Sequence, residues 1–183
     1  MKREEAIEMV KNRVSNKNLI NHMLAVGAIM KGLAKELGEE ENLWEITGIL
    51  HDIDYEETKN DFKKHSLISA EILKGKIPEK SIKAIKAHNF ENTGIMPETK
   101  MDYALICADA LSGLIVACAL VMPSKKLDEV SIKTIKKKFK SKDFAKNINR
   151  DNINLCEKIG LTRERLFEIG LESMKSISEQ IGL

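Results

Sequence analysis

Aromatic residues make up only 4% of this 183-residue chain, and prolines number just three. Sheets draw on aromatic and β-branched strand faces broken by frequent turns, so these shortages argue against a β architecture. Leucine, isoleucine, lysine and glutamate dominate instead, which favours helix. An all-α fold is the expectation. Cysteine is scarce as well: Cys107, Cys118 and Cys156 are odd in number, form no CxxC pair and lie in apolar surroundings. That excludes a disulfide framework and points to buried, reduced thiols in a cytoplasmic protein. The N-terminus MKREEAIEMV has neither the apolar core nor the small-residue cleavage site of a signal peptide. Long hydrophobic runs are also missing. Residues 103–122, YALICADALSGLIVACALVM, contain Asp109, and the uninterrupted apolar run from Ala110 to Met122 is 13 residues. A spanning helix needs about 20, so a core helix is expected and no membrane partner.

What is present is helical punctuation. Val10 and Val14 continue a stripe from Ile7, and Leu19, Met23, Gly27, Met30, Ala34 and Leu37 form another that Gly38 ends. Helices are expected over 3–14, 18–37, 41–52, 62–74, from Pro78 through His88, and 100–122, where Pro123 closes the last one. Shorter ones follow over 131–139, 142–147, 152–159 and 163–181, with Thr162 as N-cap. No repeat or glycine-serine linker divides the chain. Residues 1–122 read as the main helical domain, and 123–183 as a C-terminal helical extension packed on it.

The net charge is +2, yet residues 125–150 carry ten basic side chains against three acids. Such a run is ordinarily a solvated face, with an anionic, phosphate-bearing ligand as the competing reading. Within it Lys125, Lys126 and Arg150 are candidate phosphate-binding groups. Phe139 and Phe144 are the only aromatics interleaved with this charge, which argues against a long nucleic acid as partner.

Four histidines hold the chemical interest. His22 shares a stripe with Val26, Ile29 and Leu33, so it should face inward, where an imidazole needs a partner. Asp109 is the matching anomaly, a carboxylate in an apolar helix with Ala108, Ala110, Ser112 and Gly113 leaving room beside it. A metal ion resolves both; a direct His–Asp hydrogen bond between helices resolves them equally well. At the end of an apolar helical run in GILHDIDYEE, adjacent His51 and Asp52 can approach one cation from two sides. Asp52 has two oxygens and can bridge two ions, giving His65 and His88 something to ligate. The set is then His22, His51, Asp52 and Asp109 around one ion, with Asp52, His65 and His88 around a second. Four imidazoles and two carboxylates suit Fe, Mn, Co, Ni or Zn better than Ca or Mg. Six groups shared by two ions leave positions open for water and substrate, and Asp52 is the expected catalytic residue. Asp54, Glu56 and Glu57 lie close enough in sequence to supply an acid or position water, but such an acidic turn is ordinarily solvated, and Lys63 and Lys64 read as surface charges. Asn89 reads as a substrate donor or a helix cap.

In these residues the sequence resembles the HD-domain superfamily of metal-dependent phosphohydrolases, whose pattern is His, then His-Asp, then Asp, each from a different helix. Its two-metal branches add histidines between the last two elements. His22, GILHDID, KHSLISAEIL, AIKAHN and ICADALSG fall in that order over residues 18–115. The resemblance implies an HD-like helical bundle with metal between its helices, one or two divalent transition ions, and hydrolysis of a small phosphorylated substrate such as a nucleotide. Tyr55 stands where one-metal nucleotidase branches place an acid. His88 is followed by Asn89 rather than a second histidine, and no GYP segment of the cyclic-dinucleotide branch occurs. Asp54, Glu56 and Glu57 align poorly with the ED pair of the stringent-response branch. Size and ligand number are similar to a dinucleoside tetraphosphate hydrolase branch, which implies a nucleotide phosphoanhydride. The alternatives are a mixed-valence di-iron oxygenase of the same ligand order and a non-catalytic metal- or ligand-binding protein.

Overall fold

The computed structural model describes residues 1–183 and contains helices and turns with no strand. Helix α1 spans Arg3–Arg13, α2 Lys17–Leu37, α3 Glu41–Leu50 and the single turn α4 Tyr55–Thr58. Next come α5 (Leu67–Leu73), α6 (Glu79–His88), another short turn α7 (Phe90–Thr93) and the long α8 (Lys100–Leu120). The C-terminal part supplies α9 (Ile132–Lys140), α10 (Arg150–Asn154), α11 (Arg163–Lys175) and α12 (Ser178–Ile181).

The caps follow the local chemistry. The Asn16 side chain accepts hydrogen bonds from the backbone N–H of Asn18 and Leu19 to open α2, and Gly38 closes that helix in the left-handed conformation at φ 69°. Thr99 and Asp102 form a reciprocal capping box at the start of α8. By length and hydropathy α8 could cross a membrane. It is instead the central helix of the fold, with Leu105, Leu111, Leu114 and Ile115 fully buried against α2, α6 and the C-terminal helices. One continuous apolar core runs from Ala6 in α1 to Ile181 in α12, so residues 123–183 pack on the same core as the rest. Cys107, Cys118 and Cys156 are free and buried within it.

Three expected helices come out differently. The segment expected from residue 62 begins its helix only at Leu67, because residues 62–66 form turns that end in Ser66 at φ 73°. A non-glycine residue holds that conformation only when its surroundings impose it. Residues 142–147 are turns rather than helix. The expected 163–181 helix breaks after Lys175, where Ile177 leaves helical geometry and α12 restarts.

The crossing of α2 and α3 places two of the histidines. Gly48 lies directly on the backbone of α2: a Cβ there would meet Gly27 Cα at 2.8 Å and Val26 O at 2.9 Å. Two glycines in register let these helices touch main chain to main chain, bringing the start of α2 and the end of α3 together.

Candidate metal centre

Five separate segments deliver the six candidate ligands. His22 comes from α2, His51 and Asp52 from the end of α3, His65 from the turn before α5, His88 from the last residue of α6, and Asp109 from the middle of α8. Each imidazole is held by its Nδ1. In His51 this nitrogen donates to Gly48 O at 2.7 Å, and in His88 to Ile85 O at 2.5 Å. His22 Nδ1 lies 3.1 Å from Ser112 Oγ, whose own proton goes to Asp109 O at 2.8 Å. His65 Nδ1 is 2.8 Å from Asp54 Oδ1. A hydrogen bond from Nδ1 fixes the tautomer and leaves Nε2 with a lone pair.

All four Nε2 atoms turn toward one carboxylate. Those of His51, His65 and His88 each lie 3.3 Å from Asp52 Oδ1, and that of His22 lies 3.7 Å from Asp52 Oδ2. Asp109 Oδ1 approaches His22 Nε2 to 3.1 Å and His51 Nε2 to 3.9 Å. The Asp109 side chain is 38% exposed against 8% for Asp52, so Asp109 sits on the open side and Asp52 at the floor. Asp109 therefore meets solvent more than its apolar helix suggested.

Two features mark these donors as suited to a cation. His51 Nε2 and Asp52 Oδ1 are buried with no hydrogen-bond partner, an arrangement that costs about 1–3 kcal/mol per group when nothing satisfies it. His65 Nε2 and His88 Nε2 face each other at 3.1 Å, so one ring must carry a proton there unless a metal cation takes the proton's place. Two groups could each hold a metal ion: His22, His51 and Asp52, and then Asp52, His65 and His88. Asp52 belongs to both.

The electrostatics place a neutral imidazole, an ionised carboxylate and a protonated imidazole side by side in the metal-free site. Burial drives the His51 imidazole down to about 4, keeping it neutral. Burial would raise the Asp52 carboxyl, but His51, His65 and His88 hold it well below the usual carboxylate range. His65 is likewise disfavoured as a cation by burial, yet Asp52 and Asp54 on either side raise it to about 10. The floor of the site is thus poised to bind positive charge.

The centre opens into a cleft of about 550 Å³, within the usual range for small-molecule sites. A sequence profile of the HD domain matches residues 19–114, which contain all six of these side chains. The chain belongs to the HD-domain family. HD domains bind divalent metals, and their superfamily is one of metal-dependent phosphohydrolases. No curated protein and no solved structure matches the chain.

Around the HD centre some expectations change. Asp54 is not a solvated acid but fully buried: one oxygen meets His65, and the other accepts the backbone N–H of Ser66 at 2.8 Å and of Ser69 at 2.9 Å. It imposes the left-handed turn at Ser66 and aims His65 at once. Its one sequence signal is its place two residues beyond Asp52, at a helix end where the chain curls back. Glu56 accepts from the backbone of Ser15 and Asn16, while Glu57 and Lys64 form surface pairs with Arg13 and Asp61. Asn89 donates to Phe62 O at 2.7 Å and His65 O at 2.9 Å, tying down the His65 turn. The phosphate-binding candidates are not brought to the centre. Lys125 is exposed, Lys126 reaches Gly182 O at 3.1 Å, and none of Lys125, Lys126 and Arg150 lines the cleft. The Arg150 guanidinium is engaged with main-chain carbonyls, including Ala145 O at 2.8 Å and Ile148 O at 2.9 Å.

Proposed function

We propose that this protein is a metal-dependent phosphohydrolase that cleaves a small phosphorylated substrate, a nucleotide or a compound of similar build. One ion would be held by His22, His51, Asp52 and Asp109, and a second by Asp52, His65 and His88, with Fe, Mn, Co, Ni or Zn suited to the donors. The observation that carries this reading is the convergence of four Nε2 atoms on Asp52, with His51 Nε2 and Asp52 Oδ1 left buried and partnerless. When bound, such ions supply Lewis acidity toward water and toward the phosphoryl oxygens.

The residues do the rest. Nδ1 bonds to Gly48, Ile85, Ser112 and Asp54 hold the four rings so that no reorientation is needed on loading. Asp52 spans both groups and fixes their separation. Asp109, on the open side, leaves the cleft face free for a phosphoryl group to enter beside it. Tyr55, which packs edge to face on His65 with ring centroids 5.4 Å apart, walls the second group from bulk solvent.

The test is anaerobic purification, metal identification and a screen of phosphoesters and phosphoanhydrides for phosphate release. Metal-dependent release is the expected result. Oxygen uptake with a mixed-valence iron signal would replace the hydrolase by an oxygenase, and a folded protein that takes up no metal would end both readings. In the Asp52→Ala variant both ions lose a shared ligand, so bound metal and activity are expected to vanish together. Two equivalents retained in that variant would refute the shared role.

A further inference from the structure

The cleft is built of amides, not of cations. Its lining includes Asn92, Asn147 and Asn152, the aromatic rings of Tyr55 and Phe62, and the carboxylate of Glu91, but no lysine or arginine. The basic run of residues 125–150 points elsewhere, although Asn147, Ile148 and Asn149 lie inside it.

The far wall is a strap of turns over residues 141–149 with three fastenings. Arg150 holds it from beneath, donating to the carbonyls of Ser141, Phe144, Ala145 and Ile148. Ile148 seats on α8 at Gly113, where a Cβ would come within 3.3 Å of Ile148 Cδ1. At the mouth, Asn149 Nδ2 donates to Glu91 Oε1 at 2.9 Å across the cleft, while Asn149 Oδ1 caps α10. Those bonds occupy Asn149. The side-chain amides of Asn147 and Asn152 make no hydrogen bond within the protein, and each offers two donors and an acceptor to the cleft. Phe62, 43% exposed, also lines the cleft and offers it an apolar ring.

The geometry points to a phosphomonoester whose body is uncharged, rich in hydrogen-bonding groups and flat on one side, selected by Asn147 and Asn152. This inference rests on the phosphohydrolase reading and narrows it, turning away from the phosphoanhydride that the family resemblance implied. A single phosphoryl group can sit at the metal centre. The added phosphates of a di- or triphosphate would lie among neutral amides and beside Glu91, with no cationic side chain to offset their charge. Arg150 acts here as a positioning residue, setting the strap that carries both amides.

Binding of AMP, ADP and ATP, which share one body and differ in charge, tests this by calorimetry on the metal-loaded protein. The expected order is AMP tightest and ATP weakest, with at least a tenfold spread. Asn147→Leu with Asn152→Leu should weaken AMP about 10-fold, each lost hydrogen bond costing about 0.5–1.5 kcal/mol, with metal content unchanged. Arg150→Gln should weaken AMP similarly while keeping both metals; if AMP is turned over, KM rises in these variants and kcat holds. ATP bound as tightly as AMP, no binding of AMP, or a double leucine variant that binds AMP like the parent would overturn the inference. The predicted order of affinities without phosphate release from any phosphoester or phosphoanhydride screened would instead remove the hydrolase reading and leave the selectivity standing.

Discussion

Replacing Asp54 by asparagine changes one buried atom from oxygen to NH2 and should empty half of the metal centre. Asp54 accepts three hydrogen bonds, from His65 Nδ1 on one oxygen and from the Ser66 and Ser69 N–H groups on the other. An amide keeps one acceptor oxygen. If it stays with the two backbone donors, the NH2 faces His65 Nδ1, which must then give up its proton and accept. The proton moves to Nε2, and the lone pair aimed toward Asp52 and His88 is lost. One hydrogen bond to a charged group is exchanged for a neutral one, so folding stability should fall by about 1–2 kcal/mol. Affinity at the group of Asp52, His65 and His88 should fall about 10- to 100-fold, as for other residues that orient a ligating histidine. Urea denaturation of the metal-free protein reads the first quantity, and metal per chain after dialysis, with a competitive chelator titration, reads the second. The expected variant keeps one equivalent and loses the other. Two equivalents at parental affinity would show that Asp54 does not set the His65 tautomer.

Gly48→Ala should part α2 and α3, because its Cβ would meet Gly27 and Val26 backbone atoms at 2.8–2.9 Å. The cost is about 1–3 kcal/mol, read by thermal melting, and the group containing His22 and His51 should lose affinity; an unchanged melt and metal count would refute the close crossing. In the metal-free protein, the lowered His51 pKa adds stability that is present above 6.5 and lost as pH falls toward about 4. The raised His65 pKa works oppositely, its contribution full below 6.5 and lost as pH rises through about 10. Urea midpoints should therefore decline on both sides of near-neutral pH, and a flat profile over that range would contradict the charge states assigned to the pair. Metal uptake should release protons from His65, so affinity should rise with pH between 6 and 9 when followed by an indicator dye.

That these six side chains would come together was legible in the sequence because the anomalies were of one kind, polar groups where helical periodicity demands apolar ones. His22 in the stripe of Val26, Ile29 and Leu33, and Asp109 among alanines, both stood out on that ground. Asp54 did not, because in DYEETKND it sits among acids that are indeed solvated, and burial of one carboxylate of several is decided by chain reversal after α3. The helix start at residue 62 failed for the same reason, since the turn that carries His65 is imposed by Asp54 from outside the segment. Arg150 was misread because a count of charge does not record direction. Its planar fork fits carbonyls of a tight turn as readily as phosphate oxygens, and those carbonyls also explain why residues 142–147 are not a helix. Lys125 and Lys126 show the same limit.

The six candidate ligands come from five segments spread between residues 22 and 109. With no two neighbouring turns supplying a complete set, partial opening of the molecule that detaches α2, or α8, or the His65 turn, breaks the coordination set. Bound ions would then oppose every such opening at once. An ion bound only by the native state would deepen that state by about 4 kcal/mol at a thousandfold excess over its dissociation constant, and amide hydrogens in α2, α8 and the His65 turn should gain protection together on loading. In such an arrangement the ions would act as a lock on the whole helical assembly, one that can still be released through the open cleft.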